Sequence, residues 1–300
     1  MTPASLKAVD SNPATGVRVR AYLPDLLITP LVAAALAEDL GRGGDITSAA
    51  TIPADAKSVA VMASRRDGVI CGLALAVAAF CQVDPTLVVE QLAQDGDMVK
   101  KGDRVLRISG NARAILAGER VALNFVGRLS GIATATAQMV AAAGDTKARI
   151  AATRKTTPGL RSVEKYAVMC GGGTPHRYGL DDAILIKDNH IAMAGGIRAA
   201  LEGAKSYAGH TVKIEIEVDT LAQLDEVLAV GGADIIMLDN MSDAQMREAV
   251  AKVAGRALVE ASGGVTLDRI AAIAATGVDL ISIGALTHSV INFDVGLDVE

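Results

Sequence analysis

The chain has 300 residues, enough for one or two domains and for a core that needs neither disulfides nor a structural metal. Apolar residues make up 51% and charged residues 21%, a globular composition that excludes a disordered chain. A net charge of −5 argues against a general binder of nucleic acid or of an anionic membrane surface.

With no Trp and three Phe, the core must be built from Ala, Val, Ile and Leu, which suits helices packed closely on a sheet. Cys71, Cys81 and Cys170 are widely spaced and form no CxxC, so they read as buried thiols in a reducing compartment. No apolar run is long enough to span a bilayer, and the first twenty residues lack the apolar stretch of a signal peptide. A cytoplasmic location is expected.

Residues 1–24 lack periodicity and are expected to form a disordered tail. A helix is expected around Leu31 to Leu36, ended by the Gly41-Arg42-Gly43-Gly44 turn. Strands are expected at 57–64 and 86–91, with an alanine-rich helix at 72–80 between them. Two Gly-Asp turns, Gly96-Asp97 and Gly102-Asp103, surround a short strand as in biotinyl or lipoyl carriers. No hairpin presenting a lysine follows, so they read as a structural turn pair. A long helix is expected from Glu119 to about Ala143, with Val121, Phe125, Leu129, Ile132 and Met139 on its apolar face. A domain boundary is placed inside it, near Phe125.

The second half has another rhythm. Apolar, β-rich runs recur at 149–152, 183–186, 212–218, 233–238, 257–260 and 278–283, with amphipathic helix patterns between them. Thr220 and Ser242 each precede a Gln by three residues, a capping-box pattern. Strand and helix alternating at this spacing mean parallel β/α units, and continuous apolar strands mean a sheet buried on both faces. An incomplete barrel is preferred to an open doubly wound sheet, because polar residues follow every strand. The expected organisation is a sandwich domain over 25–125, a barrel domain over 126–292 and a C-terminal tail over 293–300.

In such barrels the active site lies at the C-terminal ends of the strands. Those ends read Thr153-Arg154-Lys155-Thr156, Lys187-Asp188-Asn189-His190, Glu217-Val218-Asp219, Leu238-Asp239-Asn240, Ser262-Gly263-Gly264 and Ser282-Ile283-Gly284-Ala285. Between residues 147 and 190 stand eight Lys/Arg and four Asp/Glu, a local charge of +4 in a chain of net −5. Such a cluster suits a ligand with several anionic groups, with Arg gripping planar carboxylates and Lys supplying a compact charge. The two late Gly turns let backbone N–H groups approach a phosphate. Glu217 and Asp239 would repel an anion unless they hold hydroxyls, a proton or a metal, and ribose hydroxyls and Mg²⁺ are their natural ligands. The Gly171-Gly172-Gly173-Thr174 loop matches neither a dinucleotide fingerprint nor a P-loop. The residues therefore point to a phosphorylated sugar and a second, planar anionic substrate, without naming them.

These motifs resemble, in residue and order, the quinolinate phosphoribosyltransferase family. The likeness begins at Glu38-Asp39-Leu40-Gly41 through Asp45-Ile46-Thr47-Ser48. It continues through Arg120, Ser130-Gly131-Ile132-Ala133-Thr134 and His176-Arg177, and then through the strand ends to Ala285. The resemblance implies an N-terminal α/β sandwich followed by an incomplete, open β/α barrel. It implies conversion of quinolinate and phosphoribosyl pyrophosphate, with Mg²⁺, into nicotinate mononucleotide, pyrophosphate and CO₂, a step of NAD biosynthesis. By the same resemblance Thr153, Arg154, His176, Arg177 and Lys187 would surround quinolinate, with Arg120 entering from the neighbouring subunit of a homodimer. Lys155 would lie near the pyrophosphate. Glu217 and Asp239 would hold the ribose and the metal, directly or through water. Ser262, Gly263 and Gly264, with Ser282, Ile283 and Gly284, would bind the 5′-phosphate. Lys155, Lys187, Glu217 and Asp239 are the expected catalytic groups, and higher assembly is left open.

The closest alternative is a paralogous phosphoribosyltransferase of molybdate-transport operons with a different substrate. A barrel lyase using Lys187 as a Schiff-base nucleophile and a non-catalytic anion sensor are more distant readings.

Overall fold

The computed structural model describes residues 22–300, so the expected disordered tail falls, up to residue 21, outside the described residues. The first half contains α1 (Asp25–Leu40), α2 (Ile46–Thr51), β1 (Lys57–Ser64), β2 (Gly68–Val69), α3 (Leu73–Val83), β3 (Val88–Gln91), β4 (Met98–Val99), β5 (Arg104–Asn111) and α4 (Ala112–Ala143). The second half continues with β6 (Arg149–Ala151), α5 (Arg161–Cys170), β7 (Ile184–Ile186), α6 (Asp188–Ala194), α7 (Ile197–Tyr207), β8 (Ile214–Val218) and α8 (Leu221–Val230). It ends with β9 (Ile235–Asp239), α9 (Asp243–Val253), β10 (Leu258–Ser262), α10 (Ile270–Ala274), β11 (Leu280–Ser282), α11 (Ala285–His288) and β12 (Val295–Val299).

Two compact units result. Among the described residues the first comprises those up to Ala137, with Pro158–Gly172 and Ser289–Glu300, and the second comprises Gln138–Thr157 and Gly173–His288. A single cut near Phe125 does not describe them, because α5 and the C-terminal segment return to the first unit.

The first unit holds a four-stranded antiparallel sheet in the order β12-β1-β5-β3. Its core includes Met62, Leu106 and Ile108 from the sheet, Phe80 and Leu75 from α3, and Ile115, Leu129 and Ile132 from α4. The helix α4 begins seven residues before the apolar pattern suggests, because the Asn111 side chain accepts a hydrogen bond from Ala114 N at 3.1 Å and caps it. Ser130 and Thr134, one turn apart on α4, accept from Cys71 N at 2.8 Å and Val69 N at 2.9 Å. Those hydroxyls give the buried 69–71 backbone the partners it would otherwise lack.

The expected 293–300 tail is instead structural. Residues 295–299 form β12 and pair antiparallel with β1, from Ser64↔Val295 to Ala60↔Val299. The segment was hard to read because five residues containing Gly296 and Asp298 carry little strand signal, and their partner lies more than 200 positions away in sequence. Phe293 is buried just before it, with Arg66 5.6 Å above the ring centroid.

The second unit is a six-stranded, wholly parallel sheet in the order β6-β11-β10-β9-β8-β7. Its ends do not close: Thr174 pairs along the outer side of β6, and β7 is the other edge. This is the open β/α barrel that the strand–helix rhythm implies. Thr220 and Ser242 form the two expected capping boxes with Gln223 and Gln245. Among the described residues no helix is long and apolar enough to cross a membrane.

Replacing Phe293 with Ala should lower the unfolding free energy by about 3–5 kcal/mol in urea titration, as for other buried aromatics. Arg66→Ala, which removes only a cation–π contact, should cost about 0.5–1 kcal/mol. Equal small losses would mean that the segment before β12 contributes no core.

Candidate active site

All six strands of the second unit point the same way, so their last residues meet at one edge. The register brings Asp239 beside Ser262 and Glu217 beside Met237. A cavity of about 250 Å³ opens there, lined by Thr153, Arg154 and Lys155 after β6 and by His176 and Arg177 before β7. Lys187 after β7, Glu260 in the middle of β10, and Ser262 and Ser282 at the ends of β10 and β11 complete its polar wall. Thr153 shapes the β6 turn by accepting from Lys155 N at 3.0 Å.

Arg154 lacks a full complement of partners in this cavity. Arg154 Nε is buried without a hydrogen bond. The Arg177 guanidinium is pulled below its ordinary pKa by burial first and by the Arg154 charge second. Two guanidiniums that repel one another in a shared cavity form a site that an anion would relieve. Lys187 is compensated within the chain, since its ammonium pairs with Glu217 Oε2.

A second group of charges adjoins them. Glu217, Asp219 and Asp239 each offer an oxygen within 4.8 Å of the others. An all-oxygen donor set of this kind fits Mg²⁺. The sequence reading missed Asp219, although Glu215, Glu217 and Asp219 are spaced by two and must share one face of the strand and its extension. Asn240 was also missed as a site residue. Its φ is +54°, its N–H donates to Ser262 O at 2.9 Å and its amide donates to Asp239 Oδ2 at 2.6 Å.

His176 lines the cavity, but both of its nitrogens are engaged by the chain. Nδ1 accepts from Arg177 N at 2.7 Å. Nε2 lies 3.3 Å from Glu215 Oε2 and 3.5 Å from Glu260 Oε1. Burial disfavours a charged ring, yet the two carboxylates more than offset it and push the pKa up to about 9. An Nδ1 that accepts belongs to the neutral ring with its proton on Nε2, facing the carboxylates; the imidazolium that those carboxylates favour keeps the Nε2 proton and gives up the Arg177 N–H bond. Either form leaves Nε2 without a lone pair for a metal, although the three side chains are close enough to surround one. Glu215 is itself pushed up, first by burial and further by the Glu260 charge, while the His176 contact works in the opposite direction.

The two glycine turns are tight. Gly263 has φ +88°, and a β-carbon there would lie 2.2 Å from Asn240 Oδ1. A β-carbon on Gly284 would lie 2.9 Å from Lys155 Cδ and 3.1 Å from His288 Nε2. His288, another residue the sequence reading passed over, therefore stands beside Lys155 at the β11 turn. Ile283 does not reach the cavity: its side chain is buried and its N–H donates to Ala151 O at 2.9 Å. Arg120 belongs to the first unit, on α4, where its side chain is 63% exposed and 4.0 Å from Glu119.

Residues 45–130 match the N-terminal domain of quinolinate phosphoribosyl transferase, and residues 132–298 match its C-terminal domain. The chain belongs to this family. It is 46% identical over 283 residues to the mitochondrial, decarboxylating quinolinate phosphoribosyltransferase 2a of Nicotiana tabacum, covering 89% of this chain and 80% of that one. It is 44% identical over 294 residues to the chloroplastic, carboxylating nicotinate-nucleotide pyrophosphorylase of Arabidopsis thaliana, covering 92% of this chain and 84% of that one. The solved nicotinate-nucleotide pyrophosphorylase of Francisella tularensis superimposes with a TM-score of 0.89 at 40% identity, covering 93% of this chain and 98% of that one.

Gly263→Ala should destabilise the second unit by about 1–3 kcal/mol, because the substitution combines a left-handed φ with a clash. Gly264 has φ +56° but open space around it, so Gly264→Ala should cost only about 1–2 kcal/mol. Urea unfolding of the two variants checks the order, and an unaffected Gly263→Ala would show that Asn240 yields freely.

Proposed function

We propose that this chain transfers the phosphoribosyl group of phosphoribosyl pyrophosphate to the ring nitrogen of quinolinate, with loss of the 2-carboxylate as CO₂. The products are nicotinate mononucleotide and pyrophosphate, a step of NAD biosynthesis. The observation that carries this reading is the pair Arg154 and Arg177, mutually repelling in one cavity with the Arg154 Nε unpartnered, in a chain of this family.

In this reading Arg154, Arg177 and Lys187 hold the two ring carboxylates, and Thr153 shapes the turn that presents Arg154. His176 contributes by fixing the Arg177 backbone. Lys155 faces the pyrophosphate, while Ser262, Gly263, Gly264, Ser282 and Gly284 surround the 5′-phosphate. Glu217 and Asp239 hold the ribose hydroxyls, and their charge stabilises the cation that develops at the anomeric carbon as pyrophosphate departs. Glu217, Asp239 and Asp219 are the residues that would hold Mg²⁺, which when bound neutralises charge on the leaving pyrophosphate. The attacking ring nitrogen becomes cationic, and its adjacent charge stabilises the electron pair that departing CO₂ leaves on the ring carbon; that carbon then takes a proton from water, so no further electron sink is required. The work of the chain is to position both substrates and to compensate their charge.

A homodimer is part of this proposal, with Arg120 of each chain completing the cavity of the other. A cytoplasmic location is also part of it, and is supported by three free cysteines.

The purified protein should consume quinolinate only when phosphoribosyl pyrophosphate and Mg²⁺ are both present, releasing CO₂ and nicotinate mononucleotide in equal amounts. Turnover of nicotinate with none of quinolinate would overturn the reading.

The shared site has its own test. Arg120→Ala and Arg154→Ala homodimers should each be nearly inactive. In a mixed dimer one site collects both lesions and the other collects neither, because a two-fold axis makes the sharing reciprocal. Random exchange should restore about a quarter of wild-type activity. Hybrids verified by mass and still inactive would place Arg120 in service of its own chain.

A further inference from the structure

Residues 178–182 connect the His176–Arg177 corner to β7, and one carboxylate holds them. Asp182 accepts from Tyr178 N at 2.6 Å and from Gly179 N at 3.1 Å. These bonds close the segment into a turn. Immediately after it, Ala183 O accepts from Arg177 Nη1 at 2.9 Å. Arg177 is therefore gripped twice, by His176 at its backbone N–H and by Ala183 at its guanidinium. The second grip exists only where the turn places Ala183.

Asp182 is outside the cavity wall and largely exposed, so it has no direct path to a ligand there. Partial burial works against its charge. The N–H groups of Tyr178 and Gly179 and the Arg177 charge outweigh that effect and keep the carboxyl below its usual range. It is thus an anion under all working conditions, clamping two donors and facing the guanidinium.

We propose that Asp182 is a positioning residue for Arg177: by closing the 178–182 turn it sets, through Ala183 O, the direction of the guanidinium fork that receives a substrate carboxylate. The proposal rests on the reading above, which assigns Arg177 to quinolinate. Without the turn, Arg177 keeps its charge but regains rotamer freedom, which must be lost again on each binding event. Ordering one such side chain weakens binding by about three- to tenfold. A carboxylate held equally in ground and transition states affects KM and leaves kcat nearly unchanged.

Steady-state kinetics with both substrates tests this. Asp182→Ala should raise KM for quinolinate by about three- to tenfold, leaving kcat and KM for phosphoribosyl pyrophosphate within about twofold. Asp182→Asn retains an acceptor oxygen without the charge and should recover part of the loss. In an Arg177→Ala background, Asp182→Ala should add nothing, since the residue acts only through Arg177. An unchanged KM for quinolinate in both Asp182 variants would overturn the inference. So would a full additional loss in the Arg177→Ala background, or a parallel fall of kcat and of affinity for both substrates. Absence of quinolinate turnover and of calorimetric quinolinate binding in the wild type would instead overturn the reading on which the inference rests.

Discussion

Two guanidiniums share one cavity at the end of a parallel sheet, and the rest of the second unit is arranged around the repulsion between them. Arg154 follows β6 at one edge of the sheet, and Arg177 precedes β7 at the other. Each is delivered by a turn with its own internal hydrogen bonds, and the Arg177 guanidinium is also held by Ala183 O. Like charges confined in this way are tolerable only in a protein that expects an anion.

Opposite charge is kept nearby but apart. Glu260 lines the cavity, and His176 stands between it and Glu215, 3.5 Å from the first carboxylate and 3.3 Å from the second. They offset the basic cluster at short range without occupying the positions where a substrate carboxylate would bind. Glu217, Asp219 and Asp239 gather on the next strands, with Lys187 marking the border through its pair with Glu217. The result is a basic half suited to a planar acid and an acidic half suited to hydroxyls and a divalent cation. A reaction that joins an anionic ring to a sugar becoming cationic needs that division of charge.

Much of this was legible in one dimension. The six barrel strands, the two capping boxes and the polar strand ends follow from apolar runs of fixed spacing, because a parallel sheet buried on both faces leaves a continuous apolar signature. The first-unit strand β1 was legible to the residue for a related reason: eight residues of small and branched side chains are flanked by turn formers. Glu215 and Glu260 were not singled out, although each interrupts an apolar strand. A lone carboxylate in such a run has no meaning until the strand two places away supplies another and a loop supplies His176. Asn240 and His288 escaped notice for the same reason, since their neighbours are Asp239, Gly263, Lys155 and Gly284 in space. The C-terminal strand β12 was missed because its pairing with β1 stabilises it more than its own composition does.

The sequence by itself determined the periodicities, the segregation of charge and the chemical types at the strand ends, since these depend on near neighbours along the chain. Only the tertiary structure decided which charges meet. It brought Arg154 against Arg177, turned both nitrogens of His176 inward, buried the Ile283 side chain away from the cavity and made a clamp of Asp182. Electrostatic interaction falls with distance in space and is strengthened by burial, and neither quantity is written in the order of residues.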